Sequence, residues 1–396
     1  MSTNKKMAII FMLLCSLAAA ASPNAKTIIK LAIVDNFRYQ KFVTTHYKEY
    51  YLSGLELAIV EAKKDDVHII YKVFQYNDEP LSIINKIAEL QRWKPDFIIG
   101  PRDSNRFLLL APHISDTLTL SPFATSLEIK KLPGNFHTMP LLSEHEAEAM
   151  FVLMQKDFPT KNAFLLTEAD CKSCVDVSES LLNIWKKNNI KKIDTDYYVS
   201  NSSSNITLEK IKLMDEAPVI ILPNLAHNTA YLMSKISGLF SNKITTFIGG
   251  DGWGDWHDTE VGKLGKNNTY ESYHVVPWSL DVDLPEVKEF SKAYQEYYQD
   301  APKNKLSFVI YRTIISATTA YKKYQNQFNG DLRYKLMRSY NAALKCDPYW
   351  FKPIHYVVYK IKNQTNCVYA LVNPINHSIE RNGASIHSQL RCFNDG

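Results

Sequence analysis

Cys171-Lys-Ser-Cys174 is the spacing in this chain that most suggests chemistry, as a redox dithiol or half of a zinc site. A zinc site would need a second close pair, and Cys346 and Cys367 stand twenty-one positions apart. A redox motif would follow the first strand of a small domain, whereas this one sits mid-chain. A structural disulfide between Cys171 and Cys174 is the expectation, with a reduced, inert pair or a thiol–disulfide exchanger as alternatives. Cys346 with Cys367 is a second candidate pair. The rest of the catalytic inventory is negative. There is no P-loop and no G-x-S-x-G, and His145-Glu146 lacks the second His of a zinc protease. Gly250, Gly252 and Gly254 make only part of a dinucleotide fingerprint, too late in the chain to follow a first strand. No catalytic residue, metal or cofactor is expected, so the chain does not read as an enzyme.

Composition narrows the class. The 396 residues are 45% hydrophobic and 22% charged, which suits a folded chain long enough for two sizeable cores. Lys5 and Lys6, an apolar run from Met7 to Leu17 and then Ala18 to Ala21 read as a secretory signal peptide over residues 1–21. The apolar run is shorter than the ~20 residues that span a bilayer. Without the leader the charge is 44 − 41 = +3, with no clustered basic face for a nucleic acid. Export permits disulfides, and five of the six cysteines remain beyond the leader, so at least one thiol is unpaired within the chain or pairs elsewhere.

The elements that would position a site alternate between strand and helix. Ile28–Asp35 reads as a buried strand, and residues 47–64 place Tyr51, Leu55, Ala58, Ile59 and Ala62 on one helical face. Strands at 67–74, 96–100 and 118–120 interleave with helices around Ile83–Leu90 and from Asn105. The rhythm restarts with an apolar helical face over Ala147, Met150, Phe151, Met154 and Phe158. Strands at 163–167, 219–222 and 246–248 follow, with helices at 175–188, from Thr229, at 286–299 and at 306–325, then a late strand at 355–362. This predicts parallel sheets covered by helices, with ligands at the strands' carboxyl ends, after Gly100 and Leu120 first of all.

The landmarks Gly54-Leu-Glu-Leu-Ala58, Ile98-Ile-Gly-Pro101 with Ser104, and Ser121-Pro-Phe-Ala-Thr125 appear in order. Phe136-His-Thr138-Met-Pro140, Ile248-Gly-Gly-Asp-Gly252, Val287-Lys-Glu-Phe290 with Tyr294, and Tyr311 follow. In this order and spacing the chain resembles the periplasmic solute-binding proteins of ABC transporters, in the branched-chain amino-acid-binding (leucine-binding) family, from about Ile28 to Lys362. The resemblance implies an α/β type I fold: two doubly wound lobes with parallel central sheets joined by a three-crossing hinge. It implies an N-terminal lobe of residues 27–138 and 278–343, a second lobe of 139–277 and 344–375, and a tail of 376–396. Such lobes close like a hinge around a ligand.

By the same resemblance, Ser104 and Thr125 hold a ligand carboxylate beside free backbone N–H groups, Phe123 contributes its backbone and packs its ring, and Asp251 receives an ammonium. Arg102 adds a guanidinium able to grip a further carboxylate. A plainer reading makes Asp251 a turn residue and the hydroxyls helix caps. Departures from the family pattern are the bulky loop Asp35-Asn-Phe-Arg-Tyr39, Glu168-Ala-Asp170 leading into the cysteines, Leu222-Pro-Asn-Leu225, and Arg312 where the family usually has Asp. The implied function is periplasmic capture of an amino acid or similar small polar solute and its delivery to an inner-membrane ABC permease. The alternative is a ligand-sensing or regulatory binding module on the same fold.

Overall fold

In the computed structural model, the described residues are 26–37, 46–77, 79–188, 193–199, 205–214, 218–224, 226–240, 243–253, 270–362 and 365–381. The expected leader, Tyr39 and Cys392 lie outside them. The first sheet is built from β1 (Thr27–Asp35), α1 (Tyr47–Lys64), β2 (Val67–Gln75), α2 (Ile84–Trp93), β3 (Phe97–Ile99), α3 (Ser104–Leu110), β4 (Leu118–Ser121) and β5 (Phe136–Thr138). Its order is β2-β1-β3-β4-β5, every neighbouring pair parallel. The continuous apolar run of β1 is explained by burial on both faces. Leu31 and Ile33 pack with Leu55 and Ala58 of α1, while Ala32 and Val34 join Phe74, Ile98 and Phe107 on the other side. Gly100 ends β3 with φ +92°, and a Cβ there would lie 2.2 Å from the Val34 carbonyl oxygen, so only glycine lets the next loop leave past β1.

The second sheet takes α4 (Ser143–Asp157), β6 (Ala163–Glu168), α5 (Lys172–Lys187), β7 (Ile193–Tyr198), α6 (Asn205–Lys212), β8 (Val219–Leu222), α7 (Ala226–Ser237), β9 (Thr245–Gly249) and β10 (Tyr270–Val276). The chain then returns to the first sheet as α8 (Pro285–Tyr298), α9 (Lys305–Tyr324) and α10 (Leu332–Cys346). Helix α9 packs along α1 in one apolar cluster, Phe308 and Ile310 beside Tyr51 and Leu55. It ends in β11 (Tyr356–Lys362), β12 (Thr365–Asn373) and β13 (Ser378–Glu380). The order is β13-β12-β11-β10-β9-β8-β6-β7, parallel from β7 to β10 and antiparallel from β10 to β13. The second sheet is thus mostly parallel, as expected, with an antiparallel edge. Once the chain has crossed back for the last time, short turns return each strand beside the previous one, which only antiparallel pairing permits. The passages 138–143, 276–285 and 346–356 are the three crossings between the sheets.

Cys171 and Cys174 form a disulfide with a Cα–Cα distance of 5.2 Å at the start of α5. The expected Cys346–Cys367 pair is corrected. Cys346 is a free, exposed thiol at the end of α10. Cys367, in β12, is disulfide-bonded, with its partner outside the described residues.

Candidate functional site

The carboxyl ends of β3 and β4 present two short loops whose hydroxyls fold inward. Ser121 Oγ donates to the Pro101 carbonyl at 2.6 Å and accepts from the Ala124 N–H at 3.0 Å and Phe123 N–H at 3.4 Å. Ser104 Oγ accepts from the Thr125 N–H at 3.1 Å and the Ser126 N–H at 3.2 Å. The free backbone N–H groups expected beside Ser104 and Thr125 are therefore corrected. Four successive amides crowd one tight turn, and the two nearest serine oxygens satisfy them. Ser104, having accepted twice, retains its hydroxyl proton for donation. The cap of α3 is Asp103, which accepts from the Arg106 N–H at 2.9 Å, rather than a hydroxyl.

Thr125 lies beside Ser104 and is buried, and its hydroxyl makes no hydrogen bond among the described residues. Its carbonyl accepts from the Ser143 N–H at 2.8 Å and the Ser143 hydroxyl at 2.9 Å, tying this loop to the first turn of α4. Phe123 is half-buried against the core that α1 and α9 share. Arg102 is placed differently from Ser104 and Thr125. Its guanidinium lies 4.6 Å from the Tyr47 ring centre, with Nε 3.8 Å from Asp35 Oδ1. Asp35, at the end of β1, also accepts from the Tyr47 hydroxyl at 2.6 Å and the Asn36 N–H at 2.7 Å. Burial raises the Asp35 pKa, and the Arg102 charge and the two hydrogen bonds pull against that rise. The charge of Arg102 is thus already answered inside the protein.

The start of α5 meets these loops, and the turn after β9 follows a strand parallel to the one that leads into α5. Asp176, buried in the second turn of α5, accepts from the Ser126 hydroxyl at 2.7 Å and the Leu127 N–H at 3.0 Å, and Lys172 Nζ stands 3.0 Å away. This is a charge-assisted latch between the two sheets' loops. In the turn, the Asp251 N–H donates to Glu146 Oε1 at 2.9 Å. Burial raises the Asp251 pKa, opposed mainly by the Lys305 ammonium reaching from the first turn of α9. Trp253 anchors the turn from below. It is fully buried, donates from Nε1 to the Leu222 carbonyl at 2.9 Å and stacks on His274. No group of His, Cys, Asp and Glu that could hold a metal ion occurs among the described residues.

Ser104 and Thr125 thus come together after β3 and β4, Asp251 lies in the turn after β9, and Arg102 belongs to a separate Asp35–Tyr47 cluster. Glu146, Asp176, Ser126 and Lys305 were absent from the candidates read in the sequence. Glu146 carried a signal: it lies four and eight positions before Met150 and Met154, an acidic residue inside a stripe that is otherwise apolar. Asp176 pairs with Lys172 four positions before it, but nothing local pointed to its bonds with Ser126 and Leu127, which are 50 and 49 positions away.

No protein-family model matches the chain, and no curated protein matches it. Solved structures do. A leucine-binding protein, LivK, from Thermotoga maritima superposes with a TM-score of 0.71 at 16% identity, covering 88% of this chain and 99% of that one. The branched-chain amino-acid transporter substrate-binding protein LivJ from Streptococcus pneumoniae, in complex with isoleucine, gives 0.65 at 15% identity, covering 86% and 98%. An ABC-transporter solute-binding protein from R. palustris, in complex with benzoate, gives 0.65 at 14% identity, covering 87% and 96%. The chain therefore has the type I periplasmic-binding-protein fold that these substrate-binding proteins share. At this level of identity the similarity establishes the fold.

Proposed function

We propose that this chain is an exported solute-binding protein that captures a small polar solute between two lobes and passes it to an ABC permease of the inner membrane. The lobes are residues 27–138 with 278–343 and residues 139–277 with 344–375, and the leader is residues 1–21. What supports this reading is that the carboxyl ends of the two sheets carry unlike polar groups and are joined there by the bond from Ser126 to Asp176. One side offers the hydroxyls of Ser104 and Thr125, the other the carboxylate of Asp251. A solute with an anionic and a cationic end, such as an amino acid, is complementary to both at once. Phe123 forms an apolar wall, and Arg102 acts through Asp35 and Tyr47 rather than on the solute directly. The type I neighbours in complex with isoleucine and with benzoate accord with a carboxylate as the shared ligand feature.

Thermal denaturation against a panel of amino acids, dicarboxylates, amides and aromatic carboxylates tests it. A true solute at one hundred times its Kd adds about 2.7 kcal/mol. Calorimetry with that compound should show Asp251→Ala losing ~2–5 kcal/mol of binding and Thr125→Ala ~1.5–3. Small-angle scattering should show a smaller radius of gyration with the solute present. No shift across the panel, or equal binding by Asp251→Ala, would sink the amino-acid reading.

A further inference from the structure

Glu146 and Asp251 lie on different elements, yet the Asp251 N–H donates to Glu146 Oε1 at 2.9 Å and brings the two carboxyls side by side. Two carboxyls that share one buried site resist ionising together, so one of the pair is favoured to keep its proton. Glu146 is the more enclosed of the two, 2% exposed, whereas Asp251 is half-buried and faces Lys305. No basic side chain pairs with Glu146 among the described residues, while Asp251 has the Lys305 ammonium to favour its ionised form. The turn is shaped around this contact. A Cβ on Gly250 would lie 1.6 Å from Glu146 Oε1, so the turn can rest on the glutamic acid only where residue 250 lacks a side chain.

We propose that Glu146 is the positioning residue of the Asp251 subsite, a buried neutral carboxylic acid that accepts the Asp251 N–H and leaves the negative charge of the pair on Asp251. The subsite then carries one negative charge rather than two. It suits a single cationic group such as a primary ammonium, and it is underpowered for a divalent ion, which gathers several ionised oxygens. This rests on the solute-binding reading above and specifies the charge of its cation-binding half. Burial first, and then repulsion from Asp251, raises the Glu146 pKa well above the ordinary carboxyl range, in keeping with the geometry. The titratable and charged groups facing the pair among the described residues are Tyr356 from β11 and Lys305 from α9. The Tyr356 hydroxyl is itself pushed further up by burial and by both carboxyls, so it stays neutral.

The test uses the full chain without added solute, so it stands apart from any solute screen. Infrared difference spectra between the parent and Glu146→Gln at pH 7 should show a protonated-carboxyl band in the parent that the variant lacks. Raising the pH should abolish that band. The unfolding midpoint of the parent should fall as pH rises through the pair's titration, and Glu146→Gln, which keeps an acceptor and a donor in place, should lose that slope and remain folded. Glu146→Ala should have a lower midpoint than Glu146→Gln at every pH. Absence of the band in the parent, or an unchanged slope in Glu146→Gln, overturns the proposal while leaving solute binding open. A failed solute screen with the band present overturns the solute reading and leaves the proton assignment standing.

Discussion

At the ends of β3 and β4, four main-chain N–H groups terminate on the hydroxyls of Ser104 and Ser121, whereas after β9 the N–H of Asp251 terminates on a carboxyl. The first surface is neutral and internally saturated, and what it retains for a partner is hydroxyl protons. The second is acidic, built from two buried groups that resist ionising together. The contrast teaches that the two halves of a polar cleft need not be rigid for the same reason. One is fixed by many weak neutral bonds, each ~1 kcal/mol net, the other by a few buried groups whose protonation is at stake.

The anchor of the acidic turn gives the largest expected effect. Trp253→Ala removes a fully buried indole and its bond to the Leu222 carbonyl, and should cost about 3–5 kcal/mol in denaturant unfolding. If the loss is below 1 kcal/mol, the turn is not held from beneath and the contrast between the two surfaces weakens.

Next comes the latch that joins them. Asp176→Ala leaves the Ser126 hydroxyl and the Leu127 N–H without their acceptor and should cost about 2–3 kcal/mol. Asp176→Asn keeps an acceptor oxygen and should cost less. Scattering should also report a larger radius of gyration for Asp176→Ala, since the bond joins loops of different sheets. An unchanged radius with full loss of stability would assign Asp176 to local folding alone.

The hydroxyl loop can be dissected by two substitutions one loop apart. Ser104→Ala orphans the Thr125 and Ser126 N–H groups and should cost about 1–3 kcal/mol. Thr125→Val removes a hydroxyl with no hydrogen-bond partner among the described residues, so stability should change by less than ~0.5 kcal/mol while solute binding, on the proposed function, should weaken. Equal costs would mean that Thr125, like Ser104, is framework.

Much of this arrangement was legible in the chain, and the exceptions have physical causes. Strand β1 and helix α1 were readable because a strand buried on both faces is continuously apolar and a helix on a sheet carries one apolar stripe. Strand β7, IDTDYY, was missed because it is an edge strand with three exposed side chains. Strand β10, YESYHVV, was missed because buried Ser272 and His274 interrupt its apolar pattern. Helix α10 hides its apolar face among Arg, Lys and Tyr, burying only Leu336, Ser339, Tyr340 and Ala343. The hydroxyl loop was legible because its residues lie within one stretch from Ser104 to Ser126. The acidic pair was not, because its bond spans 105 positions and no local rule joins them.

The smallest expected effect sharpens the comparison through pH. His137 lies in β5, beside the first crossing, with Nε2 2.9 Å from Asn341 Oδ1 and 3.0 Å from the Gly134 carbonyl oxygen, and its ring packs on Tyr340. Burial, followed by the Lys352 ammonium, pushes its pKa down to about 4 from 6.5, against those two hydrogen bonds. An unfolded histidine takes up its proton as pH falls below about 6.5, while the native ring refuses it until about 4. The stability this neutral ring contributes is therefore present above 6.5 and lost as pH falls toward 4. With the ring partly exposed, the loss should be discounted to about 1–2 kcal/mol. The Glu146–Asp251 pair has the opposite sign, since raised carboxyl values favour the fold below the ordinary carboxyl range and lose that advantage as pH rises through the folded values. The two contributions have opposite signs, so they partly offset each other in the parent's midpoint curve wherever both groups titrate. Variants separate them: His137→Asn should flatten the acid limb alone, and Glu146→Gln the limb above it. If His137→Asn leaves the acid limb as steep as in the parent, other groups cause the acid loss, and the opposed titration of the two sides is wrong.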